Sequence, residues 1–161
     1  MKRGKQWLAL AALLMAALLF TGCSPQAAQA PAAAETAQAE ALAVDGSYTT
    51  KEDVALYLRL YGELPQNFIT KAEARALGWE SGGLEDYAPG KCIGGDSFGN
   101  YEGLLPEAGG RRYYECDINT LGQSSRGPER IVYSNDGLIY YTGDHYESFE
   151  LLYGDESPPA Y

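Results

Sequence analysis

Positive charge is scarce in this chain. Its 161 residues include 12 Lys and Arg against 22 Asp and Glu, and the formal net charge is −10 at pH 7. Between residues 48 and 153 the same two counts are 9 and 17. Since phosphate binding is normally helped by a basic surface, the long-range field of such a domain slows its encounter with nucleic acid. Any attraction for a polyanion must therefore be local.

Histidine and cysteine are scarce too. His145 is the one histidine, and a lone histidine is more often structural than catalytic. No spacing of histidine and cysteine is typical of a metal site. Cys92 and Cys116 form an even pair, which favours a disulfide in an exported protein. Strand parity argues for caution, because Cys116 shares parity with Ile118 while Cys92 is opposite in parity to Ile93. Both outcomes stay open.

The N-terminus has the order of an export signal. Three basic residues within positions 2–5 precede an apolar run over residues 8–20, which at 13 residues is shorter than the roughly 20 that span a membrane. Residues 19–23 (LFTGC) are similar to the lipobox of bacterial lipoproteins, with Phe20 where leucine is usual. An ordinary secretory signal with an incidental cysteine is the alternative. We predict a signal peptide over residues 1–22 and a lipid on Cys23 that anchors an extracellular protein to the outer face of the cell membrane.

One folded domain is expected after the signal. Residues 23–43 are predicted to be an Ala/Gln/Pro-rich tether, because this segment is about half alanine and contains no aromatic residue. Residues 44–153 have the length of a single domain, for which we expect a monomer. The polar, proline-rich residues 154–161 are predicted to be a disordered tail.

Helix signals come first in the domain and strand signals follow. A capping box at Thr49 and Glu52, with apolar residues at helical spacing up to Tyr61, predicts a first helix. A second box at Thr70 and Glu73 predicts a shorter one. Short β-rich runs then lie between turn residues, at 91–93, 112–118, 130–133, 138–141 and 146–149. This order predicts an α+β fold, with N-terminal helices packed on a C-terminal antiparallel β-sheet of about five strands.

Charged residues occupy one face of a predicted central strand. Glu115 and Asp117 share that face by alternation, and Arg126 and Arg130 follow in the next turn and strand. A carboxylate, the imidazole of His145 near the start of the last strand, and two guanidinium groups would then converge. The competing interpretation is a solvated network of salt bridges.

Seven blocks of sequence resemble the barnase-like microbial guanine-specific ribonucleases, in the family's order and across nearly the whole domain. They are 64–71 (LPQNFITK), 73–79 (EARALGW), 88–91 (APGK), 93–96 (IGGD), 115–119 (ECDIN), 130–134 (RIVYS) and 144–146 (DHY). The resemblance implies the microbial ribonuclease fold. It also implies an enzyme that cleaves single-stranded RNA after guanosine, without a metal or a cofactor.

The resemblance assigns the chemistry to specific residues. Glu115 matches the general base that takes the proton of the ribose 2′-hydroxyl, and His145 matches the general acid that protonates the leaving 5′-oxygen. A 2′,3′-cyclic phosphate forms first and is then hydrolysed. Lys71, Arg126 and Arg130 match the cations that bind the phosphate.

Further residues match supporting positions. Asp96 and Asp117 match residues that orient the cations, and Tyr146 matches a tyrosine that lines the phosphate site. The turn from residue 119 to residue 126 is one residue longer than in barnase-like enzymes. This leaves the position of Arg126 in the site open, whereas the match of Arg130 to the family's position does not depend on the turn.

Base recognition is expected in a loop made of Phe98, Gly99, Asn100, Tyr101 and Glu102. In the family the backbone N–H groups of this loop bind guanine O6 and N7, and the glutamate accepts from N1 and the exocyclic amine. Tyr101 stands where barnase-like enzymes have arginine. Residues 100–103 (NYEG) are instead similar to fungal guanine-specific ribonucleases, in which a tyrosine stacks on the base.

A barstar-like protein inhibitor is a further partner that the resemblance implies, although Tyr101 replaces a major contact with it. Two other functions stay open for the chain. One is a catalytically weakened surface lipoprotein that binds RNA or nucleotides on the same fold, and the other is a purely structural surface lipoprotein. The presence of both Glu115 and His145 favours the enzyme.

Overall fold

Two helices and a six-stranded sheet make up residues 42–156, which are the residues that the computed structural model describes. The predicted signal peptide, Cys23 with its predicted lipid, residues 23–41 of the predicted tether and residues 157–161 lie outside this range. The predicted α+β fold is confirmed. Neither helix within the described range is long and apolar enough to cross a membrane.

The first helix, α1 (Lys51–Tyr61), begins one residue later than the sequence predicted. Thr50 rather than Thr49 is the N-cap, because its Oγ1 accepts the backbone N–H of Asp53 at 3.2 Å. The backbone carbonyl of Thr49 instead accepts the N–H of Asn119 at 2.9 Å. Thr49 therefore joins the start of the helix to the loop that contains Asn119.

A short strand that the sequence did not predict leads into the second helix. This strand, β1 (Phe68–Ile69), pairs in parallel with β2 (Cys92–Phe98) at the edge of the sheet. The helix α2 (Lys71–Ala76) follows at once, and the capping box of Thr70 and Glu73 is present as predicted. Because β1 is bonded to the sheet, it fixes the start of α2 against the sheet.

The remaining strands are antiparallel and lie in chain order. They are β3 (Tyr113–Asp117), β4 (Arg130–Ser134), β5 (Ile139–Thr142) and β6 (Glu150–Tyr153). The sequence located β2 to β5 to within a few residues, although β2 is longer than predicted. It placed β6 too early, at 146–149.

Residues 143–149 form a loop, so the predicted last strand was wrong. The Asp144 carboxylate accepts the backbone N–H of Ser148 at 3.0 Å and its hydroxyl at 2.5 Å. The Oγ1 of Thr142 accepts the backbone N–H of Tyr146 at 2.9 Å. Side chains thus satisfy locally the donors that a strand would offer to its neighbour, and the segment folds back on itself.

A bulge in β2 decides which side chains reach each face of the sheet. Gly94 pairs with Cys116 and Asp96 pairs with Glu115, so one extra residue, Gly95, is inserted on β2. Gly95 has φ 92°, a left-handed conformation that glycine adopts without strain. A shift of one residue moves all later side chains to the opposite face. The bulge therefore puts Asp96 on the same face as Glu115.

The sheet buries apolar side chains on both faces. On one face α1 packs against the strands through Val54, Ala55, Leu58, Cys116, Ile118, Ile131 and Ile139. Loops cover the other face, around the buried side chains of Leu105, Tyr113, Val132, Leu138 and Tyr140. Glu115 and Asp117 alternate with Cys116 along β3, so they lie on the loop-covered face.

Cys92 and Cys116 are both free and buried, so the structure contains no disulfide between them. They occupy diagonal positions on neighbouring strands, since Cys116 lies opposite Gly94. Diagonal neighbours are about 7–8 Å apart, which is longer than the usual Cα separation in a disulfide. The Cys92 thiol donates instead to Thr49 Oγ1 at 3.9 Å. Burial raises the pKa of the Cys116 thiol well above its ordinary value.

The packed chain extends slightly past the predicted domain limits of 44 and 153. Leu42 is buried beside α1, and its carbonyl accepts the Tyr61 hydroxyl at 2.8 Å. At the other end, the Tyr140 hydroxyl donates to the Glu156 carboxylate at 2.8 Å. Both ends of the described range are therefore tied to the domain.

The position of the helix cap can be tested by removing one hydroxyl at a time. Thr50→Ala should lower the free energy of unfolding by about 1 kcal/mol, because it leaves an N-terminal N–H of α1 without a partner. Thr49→Ala is the matched control and should cost less, since it keeps the backbone carbonyl that binds Asn119 and removes only the acceptor of the weak 3.9 Å contact from the Cys92 thiol. Urea unfolding monitored by circular dichroism measures both. A larger loss in Thr49→Ala would contradict the observed cap.

Candidate active site

One cleft on the loop-covered face brings together most of the predicted site residues. Its volume is about 630 Å³. The predicted residues that line it are Lys71, Phe98, Gly99, Asn100, Tyr101, Glu102, Glu115, Arg126, His145 and Tyr146. Asp96, Asp117 and Arg130 do not line the cleft, but they support residues that do. Asp96 binds the backbone of Lys71, and Asp117 binds both Arg126 and Arg130.

Glu115 is a buried carboxylate in the middle of the sheet. Its side chain is 10% exposed, and it is flanked by β2 and β4. The Lys71 ammonium donates to Oε1, and the Tyr146 hydroxyl donates to Oε2. Burial by itself would raise the pKa of Glu115, but these hydrogen bonds and the charges of Lys71 and Arg126 outweigh it and lower the pKa. The group is therefore held as a carboxylate.

Lys71 reaches Glu115 because of where α2 begins. It is the first residue of the helix, directly after the edge strand β1 and the cap at Thr70. Its backbone N–H donates to Asp96 Oδ2 at 2.9 Å. Asp96 thus positions Lys71 through the main chain, while the ammonium group binds Glu115. The bulge at Gly95 is what brings the Asp96 carboxylate to this face.

Asp117 holds both arginines. It is 1% exposed, and it accepts two parallel hydrogen bonds from Arg126, at 2.6 Å from Nε and 2.7 Å from Nη2. The Nε atom of Arg130 lies 2.9 Å from Oδ1 of the same carboxylate. Arg130 is itself 2% exposed and donates through Nη1 to three backbone carbonyls. Of the two arginines, Arg126 faces the cleft and Arg130 lies under it.

Arg126 lines the cleft, and the turn that precedes it packs against a second turn. The backbone N–H of Gly83 donates to the Ser124 carbonyl at 2.8 Å. A Cβ added to Gly83 would lie 1.9 Å from the carbonyl oxygen of Gln123, so only glycine permits this approach. The Arg126 guanidinium also lies over the Trp79 ring, 5.9 Å from its centroid.

His145 stands on a strained loop. His145 and Tyr146 have φ values of 59° and 76°, and two consecutive non-glycine residues in the left-handed region are costly. The backbone N–H of His145 donates to the Pro128 carbonyl at 3.2 Å. Hydrogen bonds from Ser148 and Thr142 lower the pKa of Asp144 to about 2. Asp144 thus stays charged and ties the loop that presents the exposed imidazole.

The loop predicted to recognise a base closes the other end of the cleft. Tyr101 is 94% exposed, and its ring lies over Gly99, where a Cβ would come within 2.2 Å of Cε2. The Asn100 side chain binds both backbone groups of Leu105, at 2.9 Å and 3.0 Å. The amide of Asn100 is therefore used to shape the loop, and the exposed Glu102 carboxylate remains at the cleft.

An aromatic contact joins the two ends of the cleft. Phe98 packs on Tyr146 with ring centroids 5.2 Å apart, and on Phe149 at 6.0 Å. Phe98 precedes the predicted recognition loop and Tyr146 follows His145. The position of the loop and that of the imidazole are therefore coupled through one packed cluster.

The sequence prediction missed several residues of the cleft and its support. Ser97, Leu104 and Glu147 also line the cleft. Trp79 packs against the Arg126 guanidinium, and Gly83 binds the turn that precedes Arg126. Two of these residues could have been predicted from their neighbours in the chain. Ser97 directly precedes the predicted recognition loop, and Glu147 directly follows His145 and Tyr146. Nothing in the local sequence pairs Trp79 with Arg126 or Gly83 with Ser124, since these contacts depend on tertiary structure.

The arrangement is suited to proton transfer at an anion. It offers a carboxylate, an imidazole and the cations Lys71 and Arg126 on one cleft, in partly buried surroundings where charge interactions are strengthened. Within residues 42–156, no group of three or more His, Cys, Asp or Glu side chains is placed to hold a metal ion.

Comparisons with known proteins agree on one family. A family profile described as ribonuclease matches residues 51–153. A ribonuclease of Bacillus pumilus is 46% identical over 153 residues, which cover 86% of this chain and 92% of the relative. A ribonuclease of Heyndrickxia coagulans is 53% identical over 105 residues, covering 64% and 95% respectively. Guanyl-specific ribonuclease St of Saccharopolyspora erythraea is 42% identical over 57 residues, covering 35% and 56%.

The state of Glu115 can be tested by removing its cation. In Lys71→Met the pKa of the Glu115 carboxyl should rise, because burial then acts against the charged form with less opposition. Carbon-detected NMR titration of the carboxyl group measures this. Lys51→Met is the control, since Lys51 forms ion pairs of 3.7 Å with Glu52 and Glu150 on the surface. An unchanged Glu115 titration in Lys71→Met would show that the ion pair does not set this pKa.

Proposed function

The chain belongs to the ribonuclease family, and from this premise we propose that it is an endoribonuclease that cleaves single-stranded RNA after guanosine by metal-independent acid–base catalysis. The observation that carries the proposal is the shared cleft of Glu115 and His145, with Lys71 and Arg126 beside them. An acid and a base on one cleft can serve the two sides of a single phosphate.

In the proposed first step Glu115 takes the proton of the ribose 2′-hydroxyl. The 2′-oxygen forms a bond to phosphorus, and the bond from phosphorus to the leaving 5′-oxygen breaks. His145 gives its proton to that oxygen. In the second step the oxygen of a water molecule forms a bond to phosphorus, and the bond from phosphorus to the 2′-oxygen breaks. His145 accepts the proton of the water and Glu115 gives its proton to the 2′-oxygen, so that the enzyme is restored.

Protonation states favour this division of roles. The lowered pKa of Glu115 keeps it a proton acceptor in mildly acidic solution. An imidazole is the side chain suited to donate a proton near neutral pH. Lys71 and Arg126 supply positive charge where the phosphorane gains negative charge, and such donors are worth about 3 kcal/mol each. Arg130 contributes through the shared Asp117 and not as a lining residue.

Guanine preference is proposed for the loop from Phe98 to Glu102. Glu102 is exposed at the cleft, where its carboxylate can accept from guanine N1 and the exocyclic amine, a donor pair that adenine lacks. The exposed Tyr101 ring offers a surface on which a base can stack, worth about 1–3 kcal/mol. The name of the Saccharopolyspora relative, a guanyl-specific ribonuclease, supports the same preference.

The proposed setting is the cell surface, with the enzyme exported and anchored through Cys23. The basic, apolar and small-residue order of residues 1–23 carries this part of the proposal. An acidic surface repels RNA at long range, so the local cations of the cleft would provide the attraction. A barstar-like inhibitor remains a proposed partner, and a monomer the proposed state.

Dinucleotide cleavage tests the proposal. The protein should cleave GpU faster than ApU in the presence of EDTA, and Glu115→Gln and His145→Ala should each lower the rate by about 10² to 10⁴. The pH profile should be bell-shaped, with its acidic limb at the titration of Glu115, below the ordinary range of a glutamate. High-performance liquid chromatography of the products, including the cyclic intermediate, measures the rates.

The exposed Glu63 provides the control, since Glu63→Gln changes the same chemical group away from the cleft. Saturable binding of GpU without cleavage would favour the nucleotide-binding function instead. Equal rates for GpU and ApU would remove the guanine preference while leaving the ribonuclease intact. Loss of activity in EDTA would overturn the metal-independent mechanism.

Lipid attachment is tested by the mass of the mature protein. The intact chain from a bacterial expression host should begin at Cys23, carry the added mass of acyl chains and partition into detergent. Cys23→Ser should abolish both the added mass and the partitioning. A mature chain that begins at another residue, or that carries no added mass, would instead indicate an ordinary secretory signal.

A further inference from the structure

A second cavity lies directly behind the proposed base-recognition loop. It has a volume of about 340 Å³ and is lined by residues 97–100 together with Glu107, Ala108 and the segment from Arg111 to Tyr113. Residues 97–100 also line the catalytic cleft. The end of β2 and the start of the loop therefore form a thin wall between two adjacent hollows.

Arg112 brings an unbalanced positive charge to this cavity. Its guanidinium group makes no hydrogen bond or ion pair with any residue in the 42–156 range, and the residue is exposed. The β2–β3 register, in which Ser97 pairs with Tyr114 and Phe98 with Tyr113, places Arg112 opposite Gly99 when it is continued by one residue. Arg112 therefore adjoins the recognition loop by strand pairing as well as by the cavity.

Arg112 is the residue of the cavity lining whose charge can attract an anion, because Arg111 is paired and Glu107 is negative. Arg111 donates to both oxygens of Asp136, at 3.1 Å and 2.8 Å, and to the Pro106 carbonyl at 3.0 Å. Its charge is thus balanced inside the protein. Glu107 is exposed and opposes an anion. The free positive charge of Arg112 is what an anionic group entering this cavity would meet.

The stereochemistry of RNA indicates which anionic group that would be. In a ribonucleotide the base and C5′ lie on the same face of the ribose, and the 3′-phosphate lies on the other. With guanine on the loop and its 3′-phosphate between Glu115 and His145, the chain on the 5′ side leaves from the base side. That side is bounded by the wall at residues 97–100.

We propose that the cavity behind the loop is a subsite for the RNA chain on the 5′ side of the guanosine, and that Arg112 binds the 5′-phosphate of that guanosine. The subsite rests on the proposed function, because it takes its orientation from the guanosine site. It adds a second local attraction for RNA in an acidic domain. Glu107 limits the strength of this attraction.

Matched substrates that differ by one phosphate test the subsite. The substrates are GpU and its 5′-phosphorylated form pGpU, and the quantity compared is kcat/KM for pGpU divided by kcat/KM for GpU. This ratio should fall about fivefold in Arg112→Gln, as expected for the loss of one exposed charge contact. Cleavage of GpU itself should stay within about twofold, since Arg112 touches no part of it. In Glu107→Gln the ratio should rise. The effect should shrink in high salt, where exposed charges are screened.

Two controls show whether the effect is specific to Arg112 and to the 5′ side. Arg59→Gln removes an exposed arginine of α1 that does not line the cavity, and it should leave the ratio unchanged. GpUp carries its extra phosphate on the leaving nucleoside, and its cleavage relative to GpU should not depend on Arg112. A selective loss for GpUp would assign Arg112 to the 3′ side. An equal loss for GpU and pGpU, or no loss for either, would overturn the subsite.

The test also separates failure of the subsite from failure of the proposed function. If wild-type protein does not cleave GpU, the ribonuclease function fails in itself. The subsite is then judged by binding, as the ratio of Kd for guanosine 5′-phosphate to that for guanosine, in wild type and in Arg112→Gln. An unchanged ratio in calorimetry would overturn it.

Discussion

The buried carboxylate of Asp117 is the group on which the rest of the site depends. It is 1% exposed and lies between two guanidinium groups, those of Arg126 and Arg130. Without this charge, two cations would be left close together in surroundings of low polarity, and breaking a buried pair costs about 3–5 kcal/mol. Asp117 also joins β3 to β4 and to the turn that carries Arg126. One side chain therefore links β3, β4 and the turn that carries Arg126 to the cleft.

Paired charges explain how an acidic protein can present a cationic site. Lys71 is matched by Glu115, and Arg126 by Asp117, with each carboxylate more deeply buried than the cation that faces the cleft. Such pairs add little net charge, so the distant field stays negative. An anion in the cleft lies nearer to these cations than to the carboxylates buried beneath them, so it is attracted there. Salt limits the reach of exposed charges to about 8–10 Å, so an anion inside the cleft responds mainly to the nearby cations and less to the acidic surface.

The sequence predicts best what depends on neighbouring residues. The capping box at Thr70 and the alternation on β3 depend on local spacing, and both appear in the structure. The cap at Thr49 was one residue off because the adjacent Thr50 offers the same hydroxyl. The bulge at Gly95 and the seat of Arg126 on Trp79 depend on partners distant in the chain, so no local pattern encodes them. The family resemblance supplied the remaining site residues, and the bulge brings Asp96 to the face on which Glu115 lies.

The close approach at Gly83 has an evolutionary consequence. Because its amide binds the Ser124 carbonyl and its Cα leaves no space for a side chain, the turn at 82–83 and the turn at 119–126 fit as a pair. A change of length in one of them would shift Arg126 unless the other changed as well. Insertions and deletions in these two turns should therefore be inherited together among descendants of this chain. A loop grafted from a relative would have to bring its counterpart with it.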